Sequence, residues 1–295
     1  MIYRLMYIFV PSIFILIACS GSTSESEKPM AEVSNSRPSE VPAESLSTSP
    51  ADASANVSES DIWHPAVNTS WQWHLNELPL DQSVDVEMYD IDLFDTEADV
   101  VAALHAQGRI VICYMNAGGL EDWRPDADAF PREVIGKNLD GWEGENWLDI
   151  RQIELLAPIM EARFDLCASK GFDGVEPDNV DGFQNDTGFP LTYDDQREFN
   201  IWLAAEAHKR GLSIGLKNDI DQIPDLLEHF DWALNEQCFE YAECETLLPF
   251  IEAGKPVFTV EYELEPREFC DQANALNFNS MKKNWNLDAW RAPCR

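Results

Sequence analysis

The chain has 295 residues, 45% of them hydrophobic, and sets 54 acidic against 20 basic side chains for a formal charge of −34. A field of that sign repels nucleic acid and anionic polysaccharide and draws in polycations, so a nucleic-acid partner is excluded and a cationic polymer is favoured. An acidic surface serving solubility in a salt-adapted proteome gives the same composition, and both readings can hold together.

In chain order, Arg4 precedes an apolar run from Ile8 to Ala18 that leads directly into Cys19. The run is too short to span a membrane as a stable helix and has the layout of a signal peptide. Cleavage there leaves Cys19 as the lipid-bearing first residue of an exported, membrane-anchored protein; a plain secretory signal or a short anchor is the alternative. Ser20 in place of aspartate points to the outer membrane, where the cell has one. Residues 20–60 hold thirteen serines, several prolines and no aromatic residue. They cannot bury enough surface to fold and read as a disordered tether. Residues 61–295 have the length of one α/β domain, expected as a monomer, and carry −30 once the leader's +1 and the tether's −5 are set aside.

Strand patterns recur at 69–75, 84–92, 109–116, 172–179, 212–218, 231–237, 256–262 and 277–283, with helical patterns at 95–107, 153–170, 193–210 and 223–230. Eight strands with intervening helices predict a (β/α)8 barrel of the TIM type. An open doubly wound sheet is the rival, but no glycine-rich phosphate loop follows a strand to support it. In a barrel the carboxyl ends of the strands form the site. Those ends supply Trp73 from the first strand, Asp90 and Asp92 from the second, Tyr114 and Asn116 from the third, and Asp178 from the fourth. The later strands add Lys217 and Asn218, then Glu236, then Glu261 with Tyr262.

The segment from Gly171 to Phe183 is the densest of these ends, with Asp173, Glu176, Asp178, Asn179 and Asp181 between glycines. Alternation puts Glu176 and Asp178 on one face, and Pro177 between them belongs at a strand end. A calcium loop fails here, because Gly182 at the sixth position puts Pro177 first and Gly188 twelfth. A long loop over 117–149 adds Glu121, Trp123, Arg124, Trp142, Glu143, Glu145 and Trp147. Tryptophans interleaved with acids suit a sugar cleft, since aromatic faces stack on pyranose rings and carboxylates bind hydroxyl or ammonium groups. Core filling is the bland reading of the same tryptophans.

The blocks ICYMNAGGLEDWRPD, GWEGENWLDIR, GFDGVEPDNVDGF, GLKN, NEQC and AGKPVF followed by EY resemble glycoside hydrolase family 114, the endo-α-1,4-polygalactosaminidase family. The resemblance covers about Trp63 to Tyr262. It implies a barrel fold, a cationic galactosamine-containing polysaccharide as substrate, and catalytic acids at Asp178 and Glu236. The residue chemistry agrees, because glycoside hydrolysis needs one ionised and one protonated carboxyl flanking the bond. Strands four and six are second neighbours, so inward side chains of Asp178 and Glu236 reach a separation of about 5 to 6 Å, near the retaining value. Asp178 is then the nucleophile and Glu236 the acid/base, with the reverse assignment or an inverting mechanism as alternatives. A sugar-binding lipoprotein without turnover, or a glycosidase acting on another aminosugar polymer, is the competing function.

Other chemistries fit less well. His64, His74, His105, His208 and His229 are scattered without metal-ligand spacing, so no metal or cofactor is expected. Lys217 suits a Schiff base only if it loses its charge, which its acidic neighbours oppose. Six cysteines besides Cys19 permit three disulfides. Cys238 with Cys244 closes a short loop after Glu236, and Cys270 with Cys294 pins the C-terminal segment. Cys113 and Cys167 remain as a third pair or as buried thiols.

Overall fold

The computed structural model describes residues 62–76 and 79–295. The expected signal ending at Cys19 and the expected tether over 20–60 lie outside the described residues. In chain order, β1 (Trp71–His74) and β2 (Met88–Asp92) lead to α1 (Ala98–Ala106) and β3 (Ile110–Asn116). A small antiparallel sheet follows, built from β4 (Gly119–Glu121), β5 (Ile135–Asn138) and β6 (Glu145–Leu148). Then come α2 (Ile153–Lys170), β7 (Gly174–Asp178), α3 (Tyr193–Lys209), β8 (Ser213–Lys217), α4 (Ile223–Leu226) and β9 (Trp232–Glu236). The chain ends with α5 (Leu248–Glu252), β10 (Val257–Glu261), α6 (Pro266–Ala275), β11 (Asn279–Lys282) and β12 (Ala292–Pro293).

Eight of these strands pair in parallel in the order β1, β2, β3, β7, β8, β9, β10, β11, the strand layout of a (β/α)8 barrel. All eight match the predicted strands within a few residues. The seam is closed by side chains: Trp71 Nε1 donates to the Asn279 carbonyl at 2.9 Å and Asn279 Nδ2 to the Val67 carbonyl at 2.9 Å. β12 adds to β11 antiparallel. No helix joins β1 to β2 among the described residues, which matches the short connection in the sequence.

The barrel interior is aromatic. Trp71, Trp73, Trp232 and Phe258 are buried there with Met88, Ile112, Leu234, Val260 and Met281. Trp71 and Trp232 pack on Phe258 with ring centres 5.0 and 5.7 Å away. Such wide rings need space on the neighbouring strand, and Gly215 provides it: a Cβ there would meet the Trp232 ring at 2.3 Å. A larger apolar layer between strands and helices forms the second core. Helix α3 begins where its sequence says it must, with Thr192 and Asp195 exchanging side-chain and backbone hydrogen bonds in a capping box.

All six cysteines of the domain are paired, as Cys113–Cys167, Cys238–Cys244 and Cys270–Cys294. The first bond ties β3 to α2, so these two residues are a disulfide rather than buried thiols. Three disulfides are the chemistry of an exported protein.

Candidate active site

β7, β8 and β9 are each followed directly by a residue with left-handed backbone: Asn179 (φ 60), Asn218 (φ 53) and Gln237 (φ 62). Such a residue turns the chain sharply and leaves the side chain before it on the lip of the barrel. Asp178, Lys217 and Glu236 are those side chains. β8 pairs with β7 only as far as Val175, so Pro177 interrupts no ladder on that side. Gly118 lets the chain after β3 lie directly on this lip, since a Cβ there would meet the Asn179 carbonyl oxygen at 1.7 Å.

The ammonium of Lys217 sits at the centre. Its Nζ lies 2.7 Å from Glu176 Oε1, 2.9 Å from Asp178 Oδ1 and 3.5 Å from Glu236 Oε2, above the Trp73 ring at 4.7 Å. Burial alone would strip the proton, but the charges of Asp178, Glu176 and Glu236 hold it on, well above the ordinary lysine value. Lys217 is therefore a fixed cation and no Schiff-base nucleophile. Distances of 2.9 and 3.5 Å from one atom also cap the separation of Asp178 Oδ1 and Glu236 Oε2 at about 6.4 Å.

Asp178 also accepts from Tyr114 Oη at 2.9 Å. Burial pushes its carboxyl up, but Lys217 and the Tyr114 hydroxyl outweigh that and hold it below the usual range, so it is ionised. Burial and the Asp178 charge push the Tyr114 phenol well up, which keeps it a donor. Glu236 is gripped from two sides. Tyr262 Oη donates to Oε1 through a short hydrogen bond, and Asn218 Nδ2 donates to Oε2 at 3.1 Å. The Asn218 side-chain Oδ1 in turn accepts from the Glu236 backbone N at 2.9 Å.

These groups open into a cavity of about 650 Å³. Trp73, Asp92, Tyr114, Glu121, Trp123, Arg124, Asn179, Asp181, Lys217, Asn218 and Tyr262 line it. Asp92 and Glu121 are not free for a ligand, because Arg124 clamps both and so fastens β4 to the end of β2. Burial and the Asp178 charge raise Asp181 to about 6.

Three expected substrate contacts are corrected. Asp90 and Glu176 are fully buried one inward position below the lip. Glu176 takes Trp73 Nε1 at 2.9 Å and Lys217, so it is an anchor for the cation. No N–H or O–H donor among the described residues reaches Asp90, whose neighbour is Glu176. Burial and that like charge push the Asp90 carboxyl well above its ordinary value, which favours its protonated form. Glu261 is buried under the loop after β9, where it accepts the Phe239 backbone N at 2.8 Å.

Further lining residues come from the long loop over 117–149 and from the segment after β11. Glu145 pairs with Glu121 across β6 and β4 and accepts Asn116 Nδ2 at 3.2 Å. Trp142, half exposed like Trp123, faces the cavity, and so does Trp285 from the segment after β11. Trp142 and Glu145 stood in the tryptophan-rich loop, whereas Trp285 ends no strand and carried no comparable signal.

A model of glycoside-hydrolase family GH114 matches residues 52–295. Among solved structures, the chain is similar to Ega3 of Aspergillus fumigatus in complex with galactosamine, at 45% identity and a TM-score of 0.76, covering 79% of this chain and 97% of that one. The glycoside hydrolase domain of PelA from Pseudomonas aeruginosa shares the fold at 15% identity and a TM-score of 0.62, covering 76% and 97% of the two chains. An uncharacterised protein of Deinococcus radiodurans is 25% identical over 284 residues, 86% of this chain and 88% of that protein. With most of its length matched by the family model and an aligned relative at 45% identity, the chain belongs to glycoside-hydrolase family GH114 and is a glycoside hydrolase.

Proposed function

We propose that the protein cleaves an α-1,4-linked galactosamine-containing polysaccharide with retention of configuration, Asp178 acting as nucleophile and Glu236 as general acid/base. The carrying observation is the single ammonium of Lys217 against both carboxylates. Its ceiling of about 6.4 Å on one pair of their oxygens supports a short separation, nearer the retaining value of about 5 to 5.5 Å than the middle of the inverting range, roughly 6.5 to 9.5 Å. The similarity to a protein crystallised with galactosamine supports the choice of sugar.

In the first step an Asp178 oxygen attacks the anomeric carbon while the glycosidic C–O bond breaks and Glu236 gives its proton to the departing oxygen. Asp178 suits attack because Lys217 and Tyr114 keep it ionised. In the second step Glu236 takes a proton from water, the resulting hydroxide bonds to the anomeric carbon, and Asp178 leaves as carboxylate. Export behind a lipid on Cys19 and a tether over 20–60 completes the proposal. The mass of the N-terminal peptide from membrane-extracted protein checks it, and an unmodified Cys19 rules it out.

Reducing-end release from α-1,4-galactosamine polymer tests the reaction. Asp178→Asn and Glu236→Gln keep shape and remove charge or proton, so each is expected to lower the rate by at least 10³-fold, of the order of what losing one such group costs. Either variant at near wild-type rate removes that residue from the mechanism, and a wild type that releases no reducing ends defeats the assignment of substrate.

A further inference from the structure

Trp285 is 52% exposed on the wall of the cavity, a large apolar surface that folding has not covered. One face of its ring is occupied, stacked on Tyr262 with centroids 4.1 Å apart and planes 16° from parallel. Its indole N–H is also spent, donating to Glu263 Oε1 at 2.8 Å, so the ring is fixed in orientation. The segment that carries it is held by the rest of the fold. Leu75 N and Asn76 N donate to the Leu287 carbonyl at 3.0 and 3.4 Å, and the Cys270–Cys294 bond closes the segment behind it. A rigid indole with one face packed and half its surface open is a platform for another flat apolar face, and the face of a pyranose ring is such a surface.

The position relative to the carboxylates gives that platform a side. Lys217 and Asn218 approach Glu236 at Oε2, the edge that faces Asp178. Tyr262 approaches at Oε1, the opposite edge, and Trp285 lies behind Tyr262. A general acid protonates the oxygen of the departing sugar, so the edge of Glu236 turned away from the nucleophile borders the departing part of the polymer.

We propose that Trp285 forms a sugar-stacking subsite that binds the leaving-group portion of the polymer. The inference rests on the assignment of Glu236 as the acid. Stacking there presses on the Tyr262 ring, whose hydroxyl holds Glu236, so occupation of the subsite and alignment of the acid are coupled. A substrate whose leaving group is too small to reach Trp285 gains nothing from it.

The test compares two substrates, α-1,4-galactosamine polymer and a short galactosamine oligomer carrying fluoride at its reducing end. Fluoride neither fills the subsite nor needs a strong acid. Trp285→Ala is expected to lower kcat/KM on the polymer about tenfold and leave the fluoride rate unchanged, with Trp285→Phe restoring most of the loss. A polymer loss confined to kcat, with KM and the binding of galactosamine oligomers unchanged, would mean that Trp285 only supports Tyr262 and Glu236; an equal loss on both substrates would mean a role not particular to the leaving group, and no loss on either would mean that the ring is idle; each overturns the proposal. If the wild type cleaves neither substrate, the assigned reaction falls first. Titration of the intrinsic fluorescence with galactosamine oligomers then decides the subsite, where binding that does not weaken about tenfold in Trp285→Ala overturns it.

Discussion

Glu145 lies opposite Glu121 in the β6–β4 pairing, lines the same cavity as Asp178, and among the described residues has no cation of its own, because Arg124 is already taken by Asp92 and Glu121. Burial and the charges of Glu121 and Asp178 raise its pKa from 4.5 to about 7. A carboxyl that binds its proton more tightly in the folded state favours folding at low pH, and the contribution is lost as pH climbs from about 4.5 to about 7. Glu145→Gln removes that dependence while keeping the shape. The variant is expected to be more stable than wild type by about 2 kcal/mol at pH 8 and by little at pH 5, read from urea unfolding at both values. Equal effects at the two pH values would mean that Glu145 does not titrate in this window. At this scale the position of Asp178 and Glu236 at the cavity was legible because each ends a strand inside a recognisable block. Asp90 and Glu176 were misplaced for a simple reason: alternation fixes the face of a strand but not the depth, and two residues along it is about 6.6 Å.

A repeated device holds the opposite ends of the strands. Asp173, just before β7, accepts the Val111 backbone N at 2.8 Å and His105 Nε2 at 2.8 Å from the last turn of α1. Asp231, just before β9, does the same with the Ile214 N and His208 Nε2, each at 2.9 Å, His208 coming from the last turn of α3. Two scattered histidines are thus helix-to-strand links, which explains why no metal spacing joined them. The elements that the sequence pattern did not reveal are short or begin at an unobtrusive cap. β4 and β5 carry three and four residues with a glycine in each, too little alternation to see, and α6 begins at Glu265–Pro266 with Glu268 completing a capping box. The Cys238–Cys244 loop was legible, and it folds directly behind Glu236 over the buried Glu261. Reduction of that bond is expected to cut activity severalfold while far-ultraviolet circular dichroism stays native, because the loop shapes Gln237 and the lip of β9 more than it holds the core. Activity that falls only together with the dichroism would make the bond a general staple. A Cys238→Ser, Cys244→Ser double variant separates this bond from the other two.

The −30 carried by residues 61–295 acts on the molecule as a whole, and the cavity does not simply repeat it. Asp90 and Glu261 are buried, and Asp92 and Glu121 are both held by the one guanidinium of Arg124, so none of these four is free to pair with an arriving polymer. Any steering must come from the exposed acids around the mouth, such as Asp95 and Asp140, and from the surface field beyond them. A galactosamine polymer with free amines is a polycation, and attraction to such a field raises its encounter rate at low ionic strength. Salt shortens the reach of the field to about 10 Å at 0.1 M, so kcat/KM on deacetylated polymer is expected to fall as salt rises. The fully acetylated polymer carries no charge and should respond little. An acidic surface that serves only solubility predicts a different result, the same salt curve for both substrates. Measuring the two curves on one enzyme preparation therefore separates electrostatic selection from salt adaptation, and equal slopes, or faster cleavage of the acetylated polymer, would assign the charge to the environment of the protein and not to its substrate.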